Sequence, residues 1–95
     1  MNRQDINNAI INYLISYKPE KIGIFGSFAR HEETEGSDID IFVKFKVSIT
    51  LLELSRIHRE LSILLGKKVD ILTEPALKNE RLKASIFKDL QIIFK

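Results

Sequence analysis

The sequence contains no cysteine, and residues that break or bend a chain are scarce. Without cysteine, neither a disulfide framework nor a thiolate metal site can form. Proline occurs twice, glycine four times and tryptophan not at all. No uncharged apolar run approaches the ~20 residues that a membrane-spanning helix needs, and the first residues lack the apolar core of a signal peptide. We therefore expect a cytosolic protein without a membrane segment.

An excess of charge of one sign is also missing. The chain carries 15 Lys and Arg against 13 Asp and Glu. A duplex-DNA binder usually shows a denser basic stripe, so direct binding of nucleic acid is not expected. With 95 residues, 44% of them hydrophobic, residues 1–95 can bury one modest core and are expected to form a single domain. Residues 32–40 are locally acidic, which suggests either a cation site or a solvated loop.

Hydrophobic periodicity predicts helices that alternate with strands. We expect helices at 5–17, 27–32, 50–65 and after Asn79, and strands at 21–25, 39–45 and 68–73, with 92–94 as an optional fourth. The long helix has an apolar stripe that comprises Leu51, Leu54, Ile57, Leu61, Leu64 and Leu65. Alternation of this kind implies a small α/β fold with helices packed on a sheet.

Two short motifs could hold the phosphates and the metal of a nucleotide. Gly26-Ser27 lies between a strand and a helix, where glycine permits close backbone approach and helix amides favour anions. That dipeptide alone more often caps a turn. Asp38 and Asp40 are two residues apart at the start of a strand, so they share a face. They either bind a hard cation such as Mg²⁺, or one caps a turn while the other meets solvent.

Asp70 is a third carboxylate, within an otherwise apolar strand. Burying it unpaired would be costly. It therefore faces solvent at a sheet edge, pairs with Lys67 or Arg30, or serves as a third cation ligand. The last role requires its strand to lie beside that of Asp40, which periodicity does not determine. Three carboxylates on neighbouring strands would make a site for two metal ions ~3.5–4 Å apart.

The spacing of these motifs, Gly-Ser-x10-Asp-x-Asp, resembles the nucleotidyltransferase superfamily that includes DNA polymerase beta. The chain looks most like the minimal nucleotidyltransferase family, because the match runs from Gly26 to Val43 and includes Val69-Asp70-Ile71-Leu72. The resemblance implies a minimal polymerase beta-like fold, with a small mixed sheet of three to four strands and about four helices.

The same resemblance implies roles for the motif residues. Gly26 and Ser27 would hold the triphosphate of ATP. Asp38 and Asp40 would ligate two Mg²⁺ ions, and Asp70 would ligate the catalytic ion and help to activate the acceptor hydroxyl. These three aspartates are the expected catalytic and metal residues.

Two residues that follow the glycine motif, Arg30 and His31, each have two possible roles or consequences. Arg30 matches the family's alanine-arginine pair and would contact phosphate, or else pair with the acidic loop. The family usually has glycine where this chain has His31, so a turn that needs a positive φ would strain the histidine. His58, on the long helix, is expected to be a packing or surface residue. Two histidines so far apart indicate no zinc site.

The resemblance also implies a partner. Many members of the family are antitoxins encoded with a HEPN-domain toxin, an RNase, and they transfer AMP from ATP to a tyrosine of that toxin. A hetero-oligomer with such a toxin is expected, and apolar residues such as Phe28, Phe42 or Tyr13 could add a contact surface. Two alternatives stay open: a binding module that neutralises the toxin without catalysis, and a nucleotidyltransferase that acts on an RNA end or a small molecule.

Overall fold

The computed structural model describes residues 2–32, 34, 36–74 and 79–95. In these residues the α-helices are α1 (Arg3–Leu14), α2 (Gly26–Ala29), α3 (Leu51–Leu65) and α4 (Glu80–Asp89), and a 3-10 turn at Ile15–Tyr17 extends α1. The strands are β1 (Pro19–Phe25), β2 (Ile39–Phe45), β3 (Val69–Thr73) and β4 (Gln91–Phe94). No helix in the described ranges is long and apolar enough to cross a membrane.

Local sequence signals set the helix ends. Asn2 and Thr50 each accept a hydrogen bond from the third helical N–H, and each belongs to a reciprocal capping box. Gly66, at φ 66°, ends α3 in the left-handed region. Asn79 caps α4 through its side-chain oxygen. These caps account for the observed starts of α1, α3 and α4 and for the end of α3.

Several expected boundaries move by a few residues. The first helix begins at Arg3, and its last turn, Ile15–Tyr17, is a 3-10 turn. The helix expected over 27–32 is the single turn Gly26–Ala29. Strand β1 begins at Pro19, a position that proline tolerates because the first residue of a strand need not donate to the ladder. The short terminal strand is present as β4.

The strands form one mixed sheet in the order β3-β2-β1-β4. Strand β1 pairs antiparallel with both β2 and β4, while β2 and β3 are parallel and α3 makes the crossover between them. Four helices on a four-stranded mixed sheet confirm the predicted fold class. The pairing puts the N-terminal ends of β2 and β3 at the same end of the sheet as the C-terminal end of β1.

Both faces of the sheet carry apolar side chains. One face joins α1 and α3 in the main core, whose fully buried members include Ile10, Leu14, Ile22, Ile39, Ile41, Val43, Ile57 and Leu61. On the other face, Phe42 packs with Ile86 of α4, and Phe25, Leu72 and Leu90 surround them. The second cluster is small, so α4 covers only part of its face.

The expected apolar stripe of α3 is partly wrong. Ile57, Leu61 and Leu65 are buried, whereas Leu51 is 83% exposed and Leu64 is 49% exposed. The buried residues recur every four positions and form a narrow stripe, and Leu51 and Leu64 lie on opposite flanks of it. A helix on the sheet margin buries a narrow stripe, which residue type alone does not reveal.

The expected partner surface also needs correction. Phe28 and Phe42 are 5% and 3% exposed, so both belong to the core. Tyr13 is half-buried, and its hydroxyl donates to Glu60 of α3. Short motifs do not show that α1 and α4 cover these rings.

Replacing a leucine of α3 with alanine should destabilise the protein more at the buried stripe than on its exposed flank. We expect Leu61→Ala to lower the free energy of unfolding by about 3 kcal/mol, because it leaves a cavity in the main core. The matched change Leu64→Ala should cost less than about 1 kcal/mol, because half of that side chain already meets water. Urea unfolding monitored by circular dichroism measures both. Equal losses would contradict the burial described here.

Candidate active site

The first element of the site is the turn between β1 and α2. Gly26 has φ 74°, a conformation that L side chains rarely adopt. A Cβ at this position would also collide with the Asp40 carboxylate. Glycine therefore suits this position for two reasons: it tolerates the positive φ, and it leaves room for the Asp40 carboxylate. As a result the turn, with Ser27 as its next residue, lies directly against a carboxylate of β2.

The second element is a pair of carboxylates on adjacent strands. Asp40 of β2 and Asp70 of β3 are direct partners in the parallel ladder. Side chains of paired residues project from the same face of a sheet, with neighbouring strands ~4.8 Å apart. Asp38 lies two residues before Asp40, just outside the strand. The structure thus brings Gly26, Asp40 and Asp70 together, as the strand order expected from the family requires.

Burial and mutual repulsion perturb this acidic group. Burial, followed by the negative charges of Asp70 and Asp38, raises the pKa of Asp40, and the Arg30 guanidinium partly opposes this. The Gly26 turn lies against the Asp40 carboxylate, and Phe42 lies two residues further along the same face of β2. The ionised form of Asp40 is therefore disfavoured in the folded protein.

The donor atoms of this group suit a hard divalent cation. They are all carboxylate oxygens, and a bound cation would relieve their repulsion. Within the described part of the chain, no three acidic or histidine side chains are close enough to form a ready-made metal cage. Asp38 instead lies 3.8 Å from Lys68 Nζ. The chemistry of the residues fits Mg²⁺, and their side chains would have to converge on it.

Arg30 pairs with acidic neighbours. Its Nε donates to Glu32 at 3.1 Å, and another guanidinium nitrogen donates to Asp89 of α4 at 2.9 Å. These hydrogen bonds raise the pKa of Arg30. The structure contains the expected pairing of Arg30 with the acidic loop, through Glu32. The expected contact between Arg30 and phosphate stays a prediction. Asp89 could not be foreseen, because it lies 59 residues away in sequence.

Sequence reasoning also missed two residues that hold the turn. A helix of one turn leaves carbonyl groups without partners. Arg3 donates to the Phe28 carbonyl at 2.6 Å, and its guanidinium lies 4.2 Å from the centre of the Phe28 ring. Gln91 of β4 donates to the Ala29 carbonyl at 3.0 Å. Both ends of the described chain therefore fix α2, and no local sequence signal marks either contact.

His31 has the positive φ that, according to the sequence analysis, would strain a histidine at this position. Its φ is 60°, in the left-handed region. The preceding turn closes through hydrogen bonds from the His31 N–H to Phe28 and from the Glu32 N–H to Ser27. A left-handed residue after a helix is the usual place for glycine. Histidine here adds backbone strain at the exit of the turn that carries Ser27.

Comparison with known proteins shows the family of the chain. The family model described as "Polymerase beta, Nucleotidyltransferase" matches residues 8–95. A Methanocaldococcus jannaschii relative, MJ0435, is 42% identical over 90 residues, which cover 90% of this chain and 97% of the relative. Its name assigns it provisionally as a protein adenylyltransferase. The chain belongs to the polymerase beta nucleotidyltransferase family.

Solved structures share the fold at lower identity. A toxin–antitoxin structure with AMP-PNP has a TM-score of 0.82 and 22% identity, and the match covers 93% of this chain and 72% of that one. A Shewanella oneidensis complex of a tri-AMPylated HEPN toxin with its MNT antitoxin has a TM-score of 0.79 and 21% identity. That match covers 98% of this chain and 72% of the other. These two likenesses show a common fold.

Neutralising Asp40 should stabilise the free protein in a pH-dependent way. Because the folded-state pKa of Asp40 is above its ordinary value of 3.8, ionised Asp40 opposes folding at neutral pH. We expect Asp40→Asn to raise the free energy of unfolding at pH 7, and the gain to shrink as pH falls through the raised pKa towards about 4. Urea unfolding at several pH values measures this. Asp38→Asn, which loses the contact with Lys68, should show no gain, and an equal gain in both variants would refute the account.

Glycine at position 31 should relieve the backbone strain. We expect His31→Gly to raise the free energy of unfolding by roughly 0.5–1 kcal/mol, because removing a left-handed penalty of ~1–2 kcal/mol outweighs the entropy cost of glycine. Ser16→Gly, a control within the 3-10 turn, should lower it by a similar amount. Thermal unfolding measures both. A loss of stability in His31→Gly would show that φ 60° is not strained.

Proposed function

We propose that this chain, acting as one nucleotidyltransferase domain, is a Mg²⁺-dependent protein adenylyltransferase. It transfers AMP from ATP to a tyrosine hydroxyl of a HEPN-domain toxin and thereby acts as the antitoxin. The observation that carries the proposal is the direct pairing of Asp40 with Asp70 beside the Gly26 turn. Membership of the polymerase beta nucleotidyltransferase family supports it, and so does the MNT–HEPN complex among the structures of the same fold.

Family membership and the positions of the residues support the following roles. The Gly26 backbone and the Ser27 hydroxyl bind the triphosphate of ATP, because the glycine lets phosphate approach closely. Asp38, Asp40 and Asp70 hold two Mg²⁺ ions, which when bound offset phosphate charge and make the acceptor oxygen more nucleophilic. Burial and the neighbouring negative charges raise the pKa of Asp40, so a bound cation would stabilise its ionised form.

The acceptor hydroxyl approaches on the face of the sheet that carries Asp40 and Asp70. β3 is an edge strand, so Asp70 lies at the outer margin of the site and accepts the hydrogen of the incoming hydroxyl. The tyrosine oxygen forms a bond to the α-phosphorus while the bond to the bridging oxygen breaks and pyrophosphate leaves. In-line displacement of this kind depends on positioning and charge. The partner must supply the tyrosine and therefore forms a hetero-oligomer with this chain, in the cytoplasm where ATP and Mg²⁺ are available.

A binding-only antitoxin is the second candidate. Three ion pairs favour it, because Arg30 is engaged by Glu32 and Asp89, and Asp38 lies near Lys68. If these pairs persisted in the complex with the toxin, Arg30 would be held away from the phosphates and Asp38 from the metal.

Mass spectrometry of the partner separates the two candidates. A candidate HEPN toxin is incubated with the chain, ATP and Mg²⁺, and the intact mass of the toxin is measured. We expect a gain in whole AMP units on a tyrosine, abolished by Asp38→Asn/Asp40→Asn and by chelation with EDTA. Glu20→Gln/Glu74→Gln removes the same charge around Lys44 at the other end of the sheet and should leave the gain intact.

Two other outcomes would contradict the proposal. An unmodified toxin that still forms a stable complex with the wild-type chain would contradict adenylyl transfer and establish the binding-only antitoxin. Modification of an RNA or a small molecule in place of the toxin would contradict the proposal that a HEPN toxin accepts the AMP.

A further inference from the structure

β3 lies at the edge of the sheet, yet its open side is hydrogen-bonded at one residue. Strand order places β2 on one side of β3 only. The Ile39 N–H donates to the Lys68 carbonyl at 3.0 Å, so Lys68 faces β2. In a parallel pair the next residue turns its N–H and carbonyl the other way. The backbone of Val69 therefore points away from the sheet.

Two side chains of α3 bind this outward-facing backbone. The Val69 N–H donates to Ser62 Oγ at 3.2 Å. His58 Nδ1 lies 3.1 Å from the Val69 carbonyl oxygen. A carbonyl only accepts, so Nδ1 carries the hydrogen and donates. His58 and Ser62 are four residues apart and lie on one face of the helix, where they bind both polar groups of one strand residue. We call this pair of hydrogen bonds the Val69 clamp.

The clamp fixes the residue directly before Asp70. Val69 is 1% exposed, with its side chain in the main core. Since side chains alternate between faces, a one-residue slip of β3 would replace Asp70 with Val69 or Ile71 on the carboxylate face. Burial of Val69 and Ile71 already favours the observed register, but the outer edge of an edge strand otherwise leaves its backbone groups without partners. The hydrogen bonds from α3 add a restraint at the position where register decides which side chain faces Asp40.

We propose that His58 and Ser62 are positioning residues that hold Asp70 opposite Asp40 by clamping the free edge of β3 at Val69. Neither side chain contacts the reacting groups. Their effect on catalysis rests on the proposed function, whereas their effect on β3 does not. Residues that orient the ligands of a metal through hydrogen bonds typically change its affinity by 10–100-fold when replaced.

The test pairs disruptive variants with conservative ones. His58→Leu and Ser62→Ala each remove one hydrogen bond. His58→Asn keeps an N–H donor at the δ position, and Ser62→Thr keeps the hydroxyl. Tyr13→Phe is the matched control, because it removes a contact between α1 and α3 that does not involve β3. Ser62→Ala alters least and decides the test if His58→Leu does not fold.

Two readouts are measured on each variant. The first is amide hydrogen exchange at Val69 and Asp70 by NMR, which reports local opening of β3. The second is Mn²⁺ affinity in the presence of ATP, by electron paramagnetic resonance. We expect at least tenfold faster exchange and about tenfold weaker Mn²⁺ binding in the disruptive variants. The conservative variants and Tyr13→Phe should remain within about threefold of wild type.

Failure of the inference and failure of the proposed function give different results. Unchanged Mn²⁺ affinity in both disruptive variants would overturn a positioning role. If wild type itself binds no Mn²⁺, the proposed function fails, and exchange alone decides the clamp. In that case, the Val69 clamp is overturned if the amides of Val69 and Asp70 exchange at the wild-type rate in both disruptive variants. Faster exchange in those variants, with wild-type exchange in His58→Asn and Ser62→Thr, supports it.

Discussion

The structure depends on one electrostatic constraint, which is that the fold holds two carboxylates side by side although they repel each other. Asp40 and Asp70 are neighbours because β2 and β3 pair in parallel register. Burial, together with their closeness, raises the pKa of Asp40. Backbone hydrogen bonds and the apolar face of the sheet must outweigh this repulsion. Such an arrangement is typical of a site that binds positive charge as part of its function.

The rest of the molecule can be understood as support for this arrangement. The main core fixes β2 and β3 from one face, and the smaller cluster around Phe42 leaves the carboxylate end of the other face open. Gly26 lets the turn approach Asp40 without a clash. Arg3 and Gln91 reach the same turn from opposite ends of the described chain. The positions of the functional groups therefore depend on contacts that are distant in sequence.

This division between local and distant contacts explains what could be predicted. Periodicity predicted the main elements, and motif spacing singled out Gly26, Asp38 and Asp40 as candidate site residues, because these are properties of short segments. The pairing of Asp70 with Asp40 came from family resemblance, since periodicity does not specify strand order. The Asp89 partner of Arg30, the burial of Phe28 and Phe42, and the exposure of Leu51 could not be foreseen. Each depends on how helices pack, which is set by the whole fold.

Gly26 and the paired carboxylates are proposed to form one site for ATP and Mg²⁺. Calorimetric titration of ATP into the chain, with and without Mg²⁺, tests it most directly when wild type is compared with Gly26→Ala. The account predicts Mg²⁺-dependent binding in wild type and at least tenfold weaker binding in the variant, because the added methyl group would collide with Asp40. Binding that is indifferent to Mg²⁺, or equal in the two proteins, would contradict it.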